Sequence, residues 1–106
     1  MSVLIKRNDT LPVFKATLND VDGDVAVLSG ATVKFIMVDK DGDEKVSAAA
    51  VITGAGTGQV EYRWIPTDTD TVGSYRGEFE VTFSDGNIMT FPNDGYIVIT
   101  IIGDLG

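Results

Sequence analysis

Q-V-E-Y-R-W-I-P-T-D-T-D-T-V-G-S-Y-R-G-E-F-E-V-T-F-S-D-G, residues Gln59 to Gly86, decides the architecture. Val60, Tyr62 and Trp64 alternate with Glu61 and Arg63. After a polar corner, Tyr75, Gly77, Phe79, Val81 and Phe83 alternate with Arg76, Glu78, Glu80 and Thr82. A period of two sends successive side chains to opposite faces of a strand. One face here is apolar and the other charged, as in a sheet that covers a core on one side only. The two strands are joined by a corner ending in T-V-G-S-Y, whose tyrosine enters the second strand.

The same alternation runs outward in both directions. Val3 to Lys6 reads as a short first strand, and Val13 to Leu18 as a second with Phe14, Ala16 and Leu18 inward. N-D-V-D-G-D (Asn19 to Asp24) is a turn, followed by a brief extended piece at Val25 to Leu28. Ala31 to Val38 is a strong strand with Val33, Phe35 and Met37 on one face. D-K-D-G-D (Asp39 to Asp43) closes a hairpin, and Glu44 to Ile52 returns. The glycine-rich Thr53 to Gly58 reads as a flexible loop. Beyond Gly86 come Ile88 to Phe91, a break at Pro92 to Gly95, and a last strand from Tyr96 to Ile102. Turn signals recur about every eight to twelve residues, and no 3.6-residue period emerges. The expectation is all-β: an immunoglobulin-like β-sandwich of about eight or nine mostly antiparallel strands in a single domain over 1–106. A jelly roll or small barrel is the alternative.

Composition narrows the function. Lys plus Arg total 8 and Asp plus Glu total 16, a net charge of −8. Phosphate backbones and anionic lipid surfaces would be repelled, so no nucleic-acid and no membrane partner is expected. There is no cysteine and no histidine. Disulfides, thiolate metal sites and Ser-His or Cys-His nucleophile pairs are therefore unavailable. The carboxylates all fall in predicted turns or on polar strand faces, where nothing tunes a pKa for acid–base work. No catalytic residue and no cofactor is expected, and the chain reads as something other than an enzyme. No amino-terminal leader pattern is present, which points to synthesis in a cytoplasm.

Three groups of side chains are candidate sites. Asp39, Asp41 and Asp43 flank Gly42 at alternate positions, as Asp20, Asp22 and Asp24 flank Gly23. Calcium favours several oxygen ligands on one loop, but the EF-hand spacing fails here. Asp and Gly also suit tight hairpins for backbone reasons alone, and that reading outweighs calcium at Asp39, Asp41 and Asp43. Tyr62, Trp64, Tyr75 and Tyr96 form the second group, as aromatic platforms for carbohydrate. Alternation assigns Tyr62 and Trp64 to the core instead. Tyr75 fits a tyrosine corner, in which the hydroxyl bonds back across the turn before its strand. The third group is apolar residues in excess of what one core face needs: Ile36, Val38, Ile97, Ile99 and Ile101, with Val3 and Ile5. They are the expected partner contacts, with a covered central strand as the alternative.

The order of motifs also carries a resemblance. F-K-A-T-L (Phe14 to Leu18) precedes L-S-G-A-T-V-K-F (Leu28 to Phe35) and G-Q-V-E-Y-R-W (Gly58 to Trp64). G-S-Y-R-G-E-F-E-V-T-F-S-D-G (Gly73 to Gly86), T-F-P (Thr90 to Pro92) and Y-I-V-I-T-I (Tyr96 to Ile101) complete the series. This resembles the N-terminal Ig-like domain of the phage baseplate upper protein family over roughly Val13 to Ile101. The resemblance implies a bacteriophage virion structural protein that docks on other phage structural proteins. It carries over no catalytic or binding residue. In that family the domain begins a longer chain. With this sequence ending at Gly106, the expectation is an accessory subunit on the tail baseplate, neck or head, with a homo-oligomer possible in principle. A carbohydrate-binding adhesion module contacting host-surface glycans is the alternative.

Overall fold

The alternation of the deciding stretch carries straight into packing. In Gly73–Thr82 (β7), Tyr75, Gly77, Phe79 and Val81 are buried, while the residues between them are exposed or half-buried. The computed structural model describes residues 2–105; Met1 and Gly106, the ends of the expected 1–106 domain, lie outside the described residues. The remaining strands are Ser2–Lys6 (β1), Phe14–Thr17 (β2), Thr32–Val38 (β3), Glu44–Ala49 (β4), Val51–Gly54 (β5), Gln59–Tyr62 (β6), Ile88–Phe91 (β8) and Ile97–Ile102 (β9). The larger sheet runs β1-β9-β7-β3-β4, with β8 also paired to β7. The smaller runs β2-β6-β5. Their apolar faces meet, giving the all-β, Ig-like sandwich the sequence implies. All named pairs are antiparallel except β1 with β9, where Ser2 to Lys6 lie alongside Val98 to Ile102 in parallel.

Five aromatic rings fill the centre. Phe35 is fully buried and lies 4.7 to 5.7 Å, centroid to centroid, from Phe14, Tyr62, Trp64 and Phe79. Most of these pairs are tilted or edge-on, the arrangement that the ring quadrupole favours. Two strands, β8 and β9, share one edge of β7: β9 takes Gly73 to Gly77 and β8 takes Phe79 to Thr82. Gly77 makes room at this junction. A Cβ there would stand 2.5 Å from Ile99 Cδ1 and 3.1 Å from Phe35 Cε1.

Three expectations need correction. Glu44 to Ile52 is not one returning strand. Glu44–Ala49 pairs with β3 in the larger sheet, and Val51–Gly54 pairs with β6 in the smaller. The chain turns the corner at Ala50, whose N–H donates to the Val33 carbonyl at 2.9 Å. Ala48, Ala49 and Ala50 have no bulk beyond Cβ, so the backbone can bend there without clashes. Thr53 to Gly58 is not a structureless loop either. Thr53 and Gly54 finish β5, Ala55–Thr57 forms one 3-10 turn, and Gly58 leaves it at φ +68°. Any side chain at Gly58 would collide with the Leu18 and Ala26 carbonyl oxygens. Finally, Val25 to Leu28 forms no strand of its own. It holds one bridge, Asn19 to Val25, and then lays Leu28 into the core at 1% exposure.

Candidate functional site

The polar corner inside the deciding stretch is a tight structure in its own right. Pro66–Thr69 forms a 3-10 turn whose Asp68 and Thr69 are buried. Asp68 Oδ2 accepts the Tyr62 hydroxyl at 2.6 Å and the Ile65 N–H at 3.0 Å. Thr69 Oγ1 donates to the Asp9 carbonyl, and its own carbonyl accepts from Asn8 N–H, both at 2.9 Å. The corner therefore clamps the segment joining β1 to β2. Burial, followed by the hydrogen bond to Asp68 and that carboxylate's charge, pushes the Tyr62 hydroxyl well above the usual phenolic range. A neutral Tyr62 can donate, and an ionised one would face a carboxylate. Asp68 also corrects the expectation that every carboxylate sits in an open turn or on a polar face.

Tyr75 forms the corner bond that its position implies. Its hydroxyl donates to the Thr71 carbonyl at 2.6 Å, four residues back. Burial is the first cause of its raised pKa. On the open side of the same corner, Lys45 pairs with Asp70. The Lys45 and Thr71 hydrogen bonds hold the Asp70 carboxyl below the usual range. Both tyrosines thus act as struts of the fold.

The acidic turns repeat one design three times. In Asp20 to Asp24, Asp39 to Asp43 and Phe83 to Asn87, the first residue's N–H donates to the fifth residue's carbonyl and its carbonyl accepts from the fourth, a glycine. Those glycines, Gly23, Gly42 and Gly86, have φ of +87°, +85° and +88°. Asp20 and Asp39 each use Oδ1 to accept two further backbone N–H groups of their own turn. The carboxylates of Asp39, Asp41 and Asp43 come within 4.8 Å of one another. Among the described residues this is the group of three acidic side chains close enough to hold a cation, but turn geometry already accounts for their placement.

The expected partner contacts separate into three places. Ile5, Ile97, Ile99 and Ile101 are 4%, 3%, 0% and 1% exposed. They pack in the core and offer no surface to a partner, which corrects the face assigned to β9. Its outward side is Val98, Thr100 and Ile102. The reason is a missing signal: with isoleucine or valine on both faces, hydropathy does not mark which one turns inward. Ile36 and Val38 are half-buried on the outer face of the larger sheet. Val3 is half-buried at the rim of β1, where a groove between β1 and β2 is lined by Val3, Leu4, Leu11, Pro12 and Val13. Leu4 and Leu11, which the sequence reading passed over, are 65% and 70% exposed.

Of the four aromatic candidates, Tyr62, Trp64 and Tyr75 are buried, and Tyr96 is 50% exposed. Trp64 Nε1–H has no hydrogen-bond acceptor, while the Phe35 and Tyr62 rings stand edge-on to the indole. Tyr96 lies over a shallow depression on the outer face of the larger sheet, with Arg76, Glu78, Ile36 and Val38 around it. No described helix is long and apolar enough to cross a membrane.

No family model matches the chain, and no curated protein matches it. Among solved structures, the fold is similar to the N-terminal domain of phage TP901-1 ORF48: TM-score 0.62, 14% identity, 98% of this chain and 85% of that one. CopC from Methylosinus trichosporium OB3b matches more loosely: TM-score 0.48, 18% identity, 90% of this chain and 98% of that one.

Proposed function

We propose that this chain is a structural module of a bacteriophage particle that works by docking to other phage structural proteins, without catalysis. The supporting observation is the fold shared with the TP901-1 ORF48 N-terminal domain over 98% of the chain. The motif order from Phe14 to Ile101 resembles a baseplate family and favours the same reading. The tail baseplate, the neck and the head surface are all places such a module fits, and the virion is the proposed location. Its polar groups favour adhesion over chemistry. The buried carboxylate, Asp68, is consumed by its own turn, and the acidic loops are braced by their own backbone.

The docking surface in this reading is the β1/β2 edge. β1 is the outermost strand of its sheet and presents unpaired backbone groups, with Leu4 and Leu11 beside them. Edges of that kind accept a strand or an apolar ridge from another chain. Many weak contacts on a symmetric particle then add through avidity. The test is to tag the protein in infected cells and purify particles. The expected result is the tagged chain in intact virions at a fixed ratio to the structural proteins. Recovery solely in the soluble lysate, with none on particles, defeats the reading.

A further inference from the structure

We propose that β1 pairs edge to edge with β1 of a second copy of this chain, antiparallel, with Leu4 opposite Leu4. The inference rests on the docking reading for the choice of edge and adds the identity of what occupies it. Water satisfies the free side of many edge strands, so an open edge by itself names no partner. What names one here is that β1 complements its own copy. Arg7 N–H donates to the Ile102 carbonyl at 2.8 Å, across the parallel β1–β9 pair. Along a strand, the N–H and C=O groups of successive residues point to alternate sides. Val3, Ile5 and Arg7 therefore face β9, and Ser2, Leu4 and Lys6 face the open side. A two-fold axis at Leu4 sets Leu4 against Leu4, and Ser2 against Lys6 in both directions. This register engages every open-side residue of both strands, whereas a shorter overlap leaves Ser2 or Lys6 without a counterpart. It also opposes Val3 to Ile5 on the inner face and joins the exposed Leu4 side chains as an apolar cross-strand pair.

The charge distribution suits the same contact. Each copy has a net charge of −8. Among the described residues, however, the groove beside β1 is lined by one charged side chain, Lys15, and by no carboxylate. Two acidic chains can meet there without setting acid against acid. Within the paired strands Lys6 stands opposite Ser2, so the lysines of the two copies are kept apart. β4 and β2 also carry protections that β1 lacks. β4 is continued by a chain that leaves for the other sheet, and β2 has four residues and follows closely on Pro12. β1 has five residues with no proline, no register shift and no inward charge.

The experiment is sedimentation equilibrium of the intact protein from about 1 µM to about 1 mM, a range that spans weak and moderate association. The mass should rise from one chain to two and stop, because a two-fold contact closes on itself. Hydrogen exchange at the Leu4 and Lys6 amides should slow by about tenfold or more as the dimer fills, while Val3 and Ile5 are protected at every concentration. Leu4→Lys and Leu4→Glu should each weaken the dimer by about tenfold or more, since each sets like charges against one another. An equimolar mixture of the two variants should associate about tenfold more tightly than either alone, as happens where position 4 faces position 4. Unchanged far-ultraviolet spectra would establish that both variants fold. A protein that stays monomeric throughout, assembles beyond two chains, dimerises as well with either variant, or gains nothing from the mixture overturns the inference. Tagged chain on particles beside a strictly monomeric protein defeats this inference and leaves the docking reading. Dimers in solution with no chain on particles do the reverse.

Discussion

The two lateral edges of the sandwich solve the same problem differently. At one, β4 becomes β5: a single strand leaves the larger sheet, bends at Ala50 and joins the smaller. The core rim there is sealed by continuous chain, with Ala48, Ala50 and Ile52 packed against the interior. At the other edge, β1 and β2 belong to opposite sheets and are joined by a separate connection, which the corner holds through Asn8 and Asp9. Among the described residues no strand crosses there, and Leu4 and Leu11 face solvent. The contrast separates the edge that stabilises the sandwich from the edge at which docking is proposed. The sealed edge holds the sheets together, and the open edge is left with apolar surface and unpaired backbone that its own chain does not use.

The largest expected effect removes what both edges share. Phe35 touches four rings drawn from both sheets, so Phe35→Ala should cost about 3–5 kcal/mol in chemical denaturation. If the loss stays below about 1 kcal/mol, the aromatic cluster is not the common support. The next separates the edges. Ala50→Pro deletes the N–H bonded to Val33 at the sealed corner and should cost about 1–3 kcal/mol. Proline at Leu11, already exposed and followed by Pro12, should cost less in the same assay. Equal losses would mean that the strand switch at Ala50 contributes nothing special.

These positions also show what the sequence could and could not reveal. The β6 and β7 alternation was legible because each strand has one apolar and one charged face. Tyr75 was legible because its place at the start of a strand implies a bond across the preceding corner. The switch at Ala50 left no mark. Both inner faces look into one core, so the even-numbered residues from Val46 to Ile52 stay inward through the bend and the pattern never breaks. Asp68 was hidden in T-D-T-D, where nothing distinguishes the buried carboxylate from the exposed one at Asp70. The face of β9 was lost for the opposite reason, since it has too much apolar signal. Leu4 and Leu11 were overlooked because a groove between two edges is a property of topology, and no local window contains both.

A smaller effect concerns the corner that braces the open edge. Tyr62 and Tyr75 have hydroxyl pKa values raised in the folded state. The native protein therefore keeps protons that the unfolded chain releases above about pH 10. By linkage, the stability these groups contribute is fully present below that pH and falls as pH rises through the folded-state values. Denaturation midpoints should hold steady from neutral pH to about pH 10 and then drop. Tyr62→Phe should flatten the drop while lowering stability at neutral pH, because Asp68 loses a donor. A midpoint indifferent to pH above 10, or an identical slope in Tyr62→Phe, would remove the corner from the account.

The smallest effect on stability tests the functional half of the contrast. Leu4 is on the outward face of β1, so Leu4→Glu should change stability by no more than about 0.5 kcal/mol. The same substitution puts a charge where the docking reading places an apolar contact, and burying that charge unpaired is costly. Incorporation into particles should therefore fall sharply while the melting temperature stays put. Thr32→Glu supplies the control: it adds the same charge at an exposed position on β3, away from the open edge, and should leave incorporation unchanged. If Leu4→Glu assembles as well as the parent, the open edge is not what the particle holds. If both variants fail equally, added negative charge is the cause and the β1 position carries no special weight.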